Sequence, residues 1–134
     1  MKQKGTRAER ELLHLFWENE WAAMRSAGSG STSRPSPDLL ASKNNETFAI
    51  ECKSIKSKSQ HFNKKEIDEL KLFSELFGAT AIIGMRFDGL GWHFLDVDNL
   101  MPNKNGNYTI SLKLAEKSGM KFQELIGKYK QEKL

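Results

Sequence analysis

The octapeptide Thr47–Ser54, TFAIECKS, narrows the possible folds more than any other stretch of the chain. Strand side chains alternate between two faces, so Phe48, Ile50 and Cys52 form an apolar side while Glu51 and Lys53 share the opposite one. Such a strand needs a covering layer over its apolar side. Upstream, Asp38–Ala41 reads as a second strand and Ser42–Glu46 (SKNNE) as the turn that joins the two into a hairpin. The hairpin sets Asp38 beside the end of the longer strand. Two carboxylates, Asp38 and Glu51, and one ammonium, Lys53, then converge.

The flanking segments supply the layers. Gly5–Asn19 reads as a helix whose apolar face is Ala8, Leu12, Leu13, Phe16 and Trp17, with Glu9 at the margin of that face. Trp21–Ala27 is a short strand. Gly28–Pro37 (GSGSTSRPSP) is a loop rich in Gly, Ser and Pro. A second helix spans Asn63–Phe77, with Ile67, Leu70, Phe73, Leu76 and Phe77 on its buried side. Asn63 is its N-cap, Glu66 completes a capping box and Gly78 is its C-cap. Ala79–Phe87 and Trp92–Val97 are strands joined by a turn at Asp88–Gly91. The region 101–117 is weakly patterned, with an edge strand at Tyr108–Ser111, and Met120–Lys133 is a terminal helix. The order α-β-β-β-α-β-β-α points to one α/β domain over residues 1–134, a mixed sheet flanked by helices.

Composition excludes several classes. The longest apolar stretch, Ala79–Met85, is far short of a membrane span, and the N-terminal MKQKGTRAEREL has no apolar signal core. The expectation is an intracellular protein without a membrane segment. One cysteine, Cys52, excludes an internal disulfide framework and a Cys-rich zinc site. Lys and Arg exceed Asp and Glu by 21 to 17, a mild bias toward polyanions. Its placement is uneven: Lys53, Lys56, Lys58, Lys64 and Lys65 fall within residues 53–65 with no acid among them. That run is either a solvated lysine face or a patch that tracks phosphates.

Two carboxylates held together repel, and a hard divalent cation relieves the repulsion. Mg²⁺ suits one or two carboxylates, several waters and a phosphate oxygen. A neighbouring Lys can hold the attacking water or offset charge developing on the phosphate. The alternative for 37–53 is an ordinary hairpin with exposed charges. Acid-x-Lys recurs at Glu69–Lys71, where helical spacing sets the two side chains on different faces. Glu9 reads either as a solvated charge or as a further group of the site. The Ser-rich loop is either a linker or a phosphate contact, and Arg25 and Arg34 flank it. His14, His61 and His93 show no zinc spacing. Trp92 and Phe94 share one strand face, either in the core or at a dimer interface.

These residues carry a likeness. KGTRAEREL at 4–12, Arg25-Ser26-Ala27-Gly28-Ser29, Pro37-Asp38, Ile50-Glu51-Cys52-Lys53, Leu72–Ala79 and Gly91-Trp92-His93-Phe94 resemble the archaeal Holliday junction resolvases, within the PD-(D/E)xK nuclease superfamily. The likeness covers about residues 4–97. It implies a restriction-endonuclease-like core in which Asp38 and Glu51 bind the metal, Glu9 completes the metal site and Lys53 is the catalytic lysine. It also implies DNA phosphates held by Arg10 and Arg25, and a functional serine at Ser29, for which Ser31, Thr32 and Ser33 are alternatives in the same loop. The family works as a two-fold homodimer on four-way junctions.

The expected activity is therefore metal-dependent hydrolysis of junction DNA in recombination and repair. Mg²⁺ is the cofactor, with Mn²⁺ as a substitute, and Arg34, Lys56, Lys58, Lys64 and Lys65 are further DNA contacts. Water attacks phosphorus in line and a 3′ oxygen leaves. The Trp92/Phe94 strand and the Phe73/Phe77 helix end offer apolar surface for the dimer. The competing expectations are a nuclease of the same superfamily acting on flaps or ends, and a DNA-binding module without catalysis.

Overall fold

The computed structural model describes residues 2–26 and 34–132. Its longest strand is β3, Glu46–Ile55, and the other elements are arranged about it. Helix α1 (Lys2–Glu18) leads to β1 (Ala22–Arg25). Then β2 (Leu39–Lys43) turns into β3 through Asn44 and Asn45, both at positive φ (50° and 74°). Two successive left-handed residues make the tight turn whose twist matches paired strands. Next come β4 (Ser59–Phe62), α2 (Lys64–Phe77), β5 (Thr80–Phe87), β6 (Gly91–Asp96), β7 (Tyr108–Ser111), α3 (Leu112–Ser118) and α4 (Phe122–Glu132).

Five strands form the main sheet in the order β1-β2-β3-β5-β6. Among the described strands, only β3 and β5 run parallel, with Ile50 opposite Ile82 and Lys53 opposite Met85. The remaining pairs are antiparallel. Both faces are covered. On one, Phe48, Ile50 and Cys52 pack with Leu12 and Phe16 of α1 and Phe122 and Leu125 of α4. On the other, Ala49, Ile83 and Met85 pack with Ile67 and Leu70 of α2 and Ala115 of α3. The strand alternation read from the sequence therefore holds: the Glu51/Lys53 face of β3 is the α2 face. The sheet is mixed and helix-flanked, as expected.

Helix α2 is fixed at both ends. The Asn63 side chain accepts from the Glu66 N–H and the Glu66 side chain from the Asn63 N–H, a complete capping box. Gly78 closes the helix at φ 81°. Gly84 of β5 has a packing role: a Cβ there would stand 3.2 Å from the rings of both Phe94 and Trp92, which stack on each other at 5.6 Å.

Several expectations are corrected. Trp92 and Phe94 are buried in the core, so they offer no dimer surface. Leu76 and Phe77 are not on a buried side but stand 80% and 54% exposed: Leu76 lies about 180° round the helix from Ile67, opposite the Ile67, Leu70 and Ser74 stripe, and Phe77 is the last residue of α2. Trp17, in the last turn of α1, is exposed and donates its indole N–H to the Ala23 carbonyl of β1. The expected strand at Tyr108–Ser111 is present as β7, but it pairs with β4 in a separate two-stranded ribbon rather than with the main sheet. No described helix is long and apolar enough to cross a membrane.

Candidate active site

The site begins where the β2–β3 ladder stops. Leu39 pairs with Ile50, and one residue earlier the Asp38 side chain takes over from the strand. Its Oδ2 accepts the Cys52 N–H at 2.8 Å, while the Asp38 carbonyl accepts the Ser26 N–H at 2.9 Å. Asp38 is thus locked against β3 between Glu51 and Lys53. Glu51 sits on the α2 face, at a cleft of about 80 Å³ lined by Ser36, Pro37, Glu51, Glu66, Glu69 and Leu70.

Burial raises the proton affinity of both carboxyls. Glu51 is pushed up to about 8, first by desolvation, then by the charge of Asp38, with Lys53 opposing and Glu66 and Glu9 adding to the rise. Asp38 is raised in the same direction by burial and by Glu9, against the Cys52 N–H, Lys53 and Arg25. The Cys52 thiol is also pushed up, by burial foremost, and belongs to the core rather than to the chemistry. Two desolvated carboxyls with one ammonium beside them are short of positive charge.

Glu9 comes to the site from α1, but not as a free ligand. Arg25 Nε and Nη2 both reach its Oε1, at 3.2 and 3.0 Å. Among the described residues, no three His, Cys, Asp or Glu side chains stand close enough to enclose a metal ion. The expected trio of Glu9, Asp38 and Glu51 is therefore not a ready-made cage. The donor set that fits a hard cation is the Asp38–Glu51 pair, completed by water and substrate oxygens as Mg²⁺ prefers.

A family model described as "Archaeal holliday junction resolvase (hjc)" matches residues 1–134. The chain belongs to that family. It is 37% identical to the crossover junction endodeoxyribonuclease Hjc of Archaeoglobus fulgidus, over 95% of this chain and 98% of that one. It is 33% identical to the protein of that name from Methanocaldococcus jannaschii, over 98% and 93% of the two chains. The solved structure of Archaeoglobus fulgidus Hjc, titled a Holliday junction resolvase from an archaeal hyperthermophile, superposes with a TM-score of 0.85. That match is at 32% identity, covering 92% of this chain and 98% of that one. The family's restriction-endonuclease-like fold is the fold of this chain.

Within that fold the remaining expected residues fall in distinct places. Lys53 is half-buried on the site face of β3, and Arg10 is exposed on α1. Arg25 is tied to Glu9, and Arg34 is exposed at the start of the segment that leads to Asp38. Lys56 and Lys58 are exposed in the β3–β4 turn, and Lys64 and Lys65 at the start of α2, where Lys64 pairs with Asp68. Ser29, with Ser31, Thr32 and Ser33, lies outside the described residues.

Glu66 and Glu69 were missed as cleft residues. One reads from the sequence only as a helix cap, and the other as half of a discounted acid-x-Lys. Their signal is the (i, i+3) spacing immediately beside the buried pair Ile67 and Leu70, which places both on the flank of α2 that overhangs β3.

Proposed function

We propose that this protein is a DNA endonuclease that resolves four-way junctions by paired, symmetric nicks in recombination and repair, with Mg²⁺ as its ion and Mn²⁺ as a substitute. Nucleases of this family are generally metal-dependent. The observation that carries the reading is the Asp38–Glu51 pair: two carboxyls desolvated together next to Lys53, at a cleft beside an acid-free lysine run. A binding module has no use for buried carboxyls facing a polyanion. A divalent ion bound there would neutralise the carboxylates and stabilise negative charge on the phosphate and the leaving 3′ oxygen.

The chain's own groups divide the rest of the work. Asp38, held by the Cys52 N–H, and Glu51 would hold the ion. Lys53 orients water toward phosphorus or offsets charge on the phosphate oxygens. Glu9, with one oxygen in the Arg25 fork, turns the other toward the site through water. Arg10, Arg25, Arg34, Lys56, Lys58, Lys64 and Lys65 take backbone phosphates, which position a duplex without reading its bases.

One domain carries one such site, and resolution needs two symmetric nicks, so the working unit is a two-fold homodimer. An apolar surface it could use is the outer end of α2, where Leu72, Leu76 and Phe77 are 47%, 80% and 54% exposed and Phe73 stacks on Phe77.

The test is incubation with four-way junction, flap and linear duplex, each with Mg²⁺, with Ca²⁺ and with EDTA. The expected outcome is symmetric cutting of the junction in Mg²⁺, binding with poor turnover in Ca²⁺, and none in EDTA. Preferential cutting of flaps would shift the reading to another nuclease of the superfamily. Full activity in EDTA would remove the ion from it.

A further inference from the structure

The β4–β7 ribbon joins two segments far apart in sequence with one property in common. Residues 53–65 and 101–115 together carry seven lysines and no acid. The whole chain is net +4, so everything outside these two segments is net −3. The ladder pairs Ser59 with Ser111, Gln60 with Ile110, His61 with Thr109 and Phe62 with Tyr108. Phe62, Tyr108 and Ile110 anchor the inner side in the core, while Ser59, His61 and Thr109 are exposed.

Both ends of the ribbon are tied down. At one, the Lys58 carbonyl accepts the Leu112 N–H at 2.7 Å, so the chain at Lys113 follows directly on the Lys58 backbone. At the other, Asn107 Oδ1 accepts the Lys64 N–H at 3.0 Å, and Gly106 lies against the Lys64 stem, where a Cβ would stand 3.2 Å from Cδ. The loop bearing Lys104 is held in shape by Asn103, whose Oδ1 accepts from the Asn105 and Asn107 N–H groups at 2.9 and 3.1 Å. Lysine-bearing segments thus meet at both ends, with the Lys64 ammonium paired to Asp68 at the second. Four paired residues span roughly 13 Å, close to the ~12 Å width of a duplex major groove. Between the two ends, His61 Nδ1 and the Thr109 hydroxyl lie 2.8 Å apart on the exposed side of the ribbon.

We propose that the β4–β7 ribbon is a second phosphate-binding surface, which takes the sugar–phosphate backbone of a duplex DNA arm beyond the cleavage site through Lys104, Lys113 and the His61–Thr109 pair. It rests on the resolvase reading and gives that reading a direction. Strand β3 runs from Glu51 and Lys53 straight into the Lys56–Lys58 turn and the ribbon, so an arm whose scissile phosphate lies at Asp38 and Glu51 continues over it. All seven charges are lysine rather than arginine. Point charges on flexible stems suit sequence-independent backbone contact, whereas arginine forks suit bidentate base reading.

The test compares wild type with the Lys104→Gln/Lys113→Gln double variant on a four-way junction in Ca²⁺, between 50 and 200 mM salt. Each phosphate contact on duplex contributes about 0.9 to the log–log salt slope. The variant's slope should be shallower by about 1.8, so that wild type loses about twelvefold more affinity than the variant over that fourfold range. The Lys104→Arg/Lys113→Arg variant should keep the wild-type slope. Hydroxyl-radical footprints should lose protection along an arm away from the nick and retain it at the nick. An unchanged slope, or protection lost only at the nick, overturns the ribbon and leaves the resolvase reading intact. If wild type fails to cut junctions in Mg²⁺ while the slope still falls, the resolvase reading is overturned and the ribbon stands as a DNA surface.

Discussion

Helix α1 carries two glutamates two residues apart, each bonded to an arginine, and the two pairs are built differently. Arg86 grips both oxygens of Glu11, Nε to Oε1 at 2.8 Å and Nη2 to Oε2 at 3.2 Å, and the Trp92 indole N–H adds a bond to Oε1 at 2.6 Å. Arg25 places both its nitrogens on a single oxygen of Glu9. Glu11 is 43% exposed and Glu9 only 18%, so the more buried carboxylate is the less completely paired. Burial makes incomplete pairing costly. The surroundings respond in opposite senses. The Arg86 hydrogen bond holds the Glu11 carboxyl below its ordinary value, whereas Asp38 and Glu51, beside Glu9, are raised. One flank of α1 is a clamp of the helix to β5 and β6. The other is a cluster of carboxyls that burial disfavours in their charged form, the kind of arrangement the proposed function would use.

The largest effect that could break this contrast is on the reaction. Asp38→Asn, Glu51→Gln and Lys53→Ala should each slow junction cleavage on the order of 10³-fold and change junction binding far less, because the phosphate contacts proposed above are spread over many other basic residues. Single-turnover cleavage and a binding titration in Ca²⁺ separate the two. Near-normal cutting by Glu51→Gln would place the chemistry elsewhere.

The next effect is on stability without added cations. Glu51 holds its proton up to about pH 8 in the folded protein, against an ordinary value of 4.5. Protonation therefore favours the fold. That stabilisation is fully present below pH 4.5 and is lost as pH rises through 8. Asp38, also raised, acts in the same direction. Glu51→Gln, which copies the protonated form, should stabilise the EDTA-treated protein at pH 8 on the order of a few kcal/mol. It should do little at pH 4.5. Mg²⁺ should raise the melting temperature of wild type at pH 8 and scarcely move that of Glu51→Gln. A wild-type protein equally stable at pH 5 and pH 8 in EDTA would refute the assignment of Glu51 as a desolvated carboxyl.

The two flanks also differ in how legible they were. The β2–β3 hairpin, the sharing of a face by Glu51 and Lys53, and the capping box at Asn63 follow from local rules, and the structure has all three. Glu11, Arg86 and Trp92 passed unremarked as a group, because no spacing rule joins positions 11, 86 and 92; only the packing of α1 across β5 and β6 does. Strand β4, Ser59–Phe62, has one buried residue, Phe62, and exists because β7 pairs with it, which leaves no alternation to read. Helix α3, Leu112–Ser118, is seven residues long, too short for a periodic signature, and is started by the Ser111 side chain accepting the Leu114 N–H. Grouping Leu76 with the buried side overlooks that it falls about 180° round the helix from Ile67, and Phe77 and Trp17 are exposed in the last turns of their helices.

The smallest predicted effect tests the contrast on α1 itself. Glu11→Gln keeps an oxygen for the Trp92 N–H but loses the charge that Arg86 grips. Solvent screening at this partly exposed pair limits the loss to about 1 kcal/mol near pH 7. Because the Glu11 carboxyl is lowered, wild type holds that stabilisation above pH 4.5 and loses it as pH falls through the depressed value. The variant should therefore approach wild type in acid. Glu9→Gln should have two opposing effects. It weakens the Arg25 contact, but it also removes a negative charge that raises both Asp38 and Glu51. The two changes oppose, and the net change in stability near pH 7 in EDTA should stay within about 0.5 kcal/mol. Urea denaturation of both variants and wild type, at pH 7 and at pH 4, resolves differences of this size. If Glu9→Gln proved the more destabilising of the two, Glu9 would be a clamp like Glu11, and the site would have to function with Asp38 and Glu51 alone.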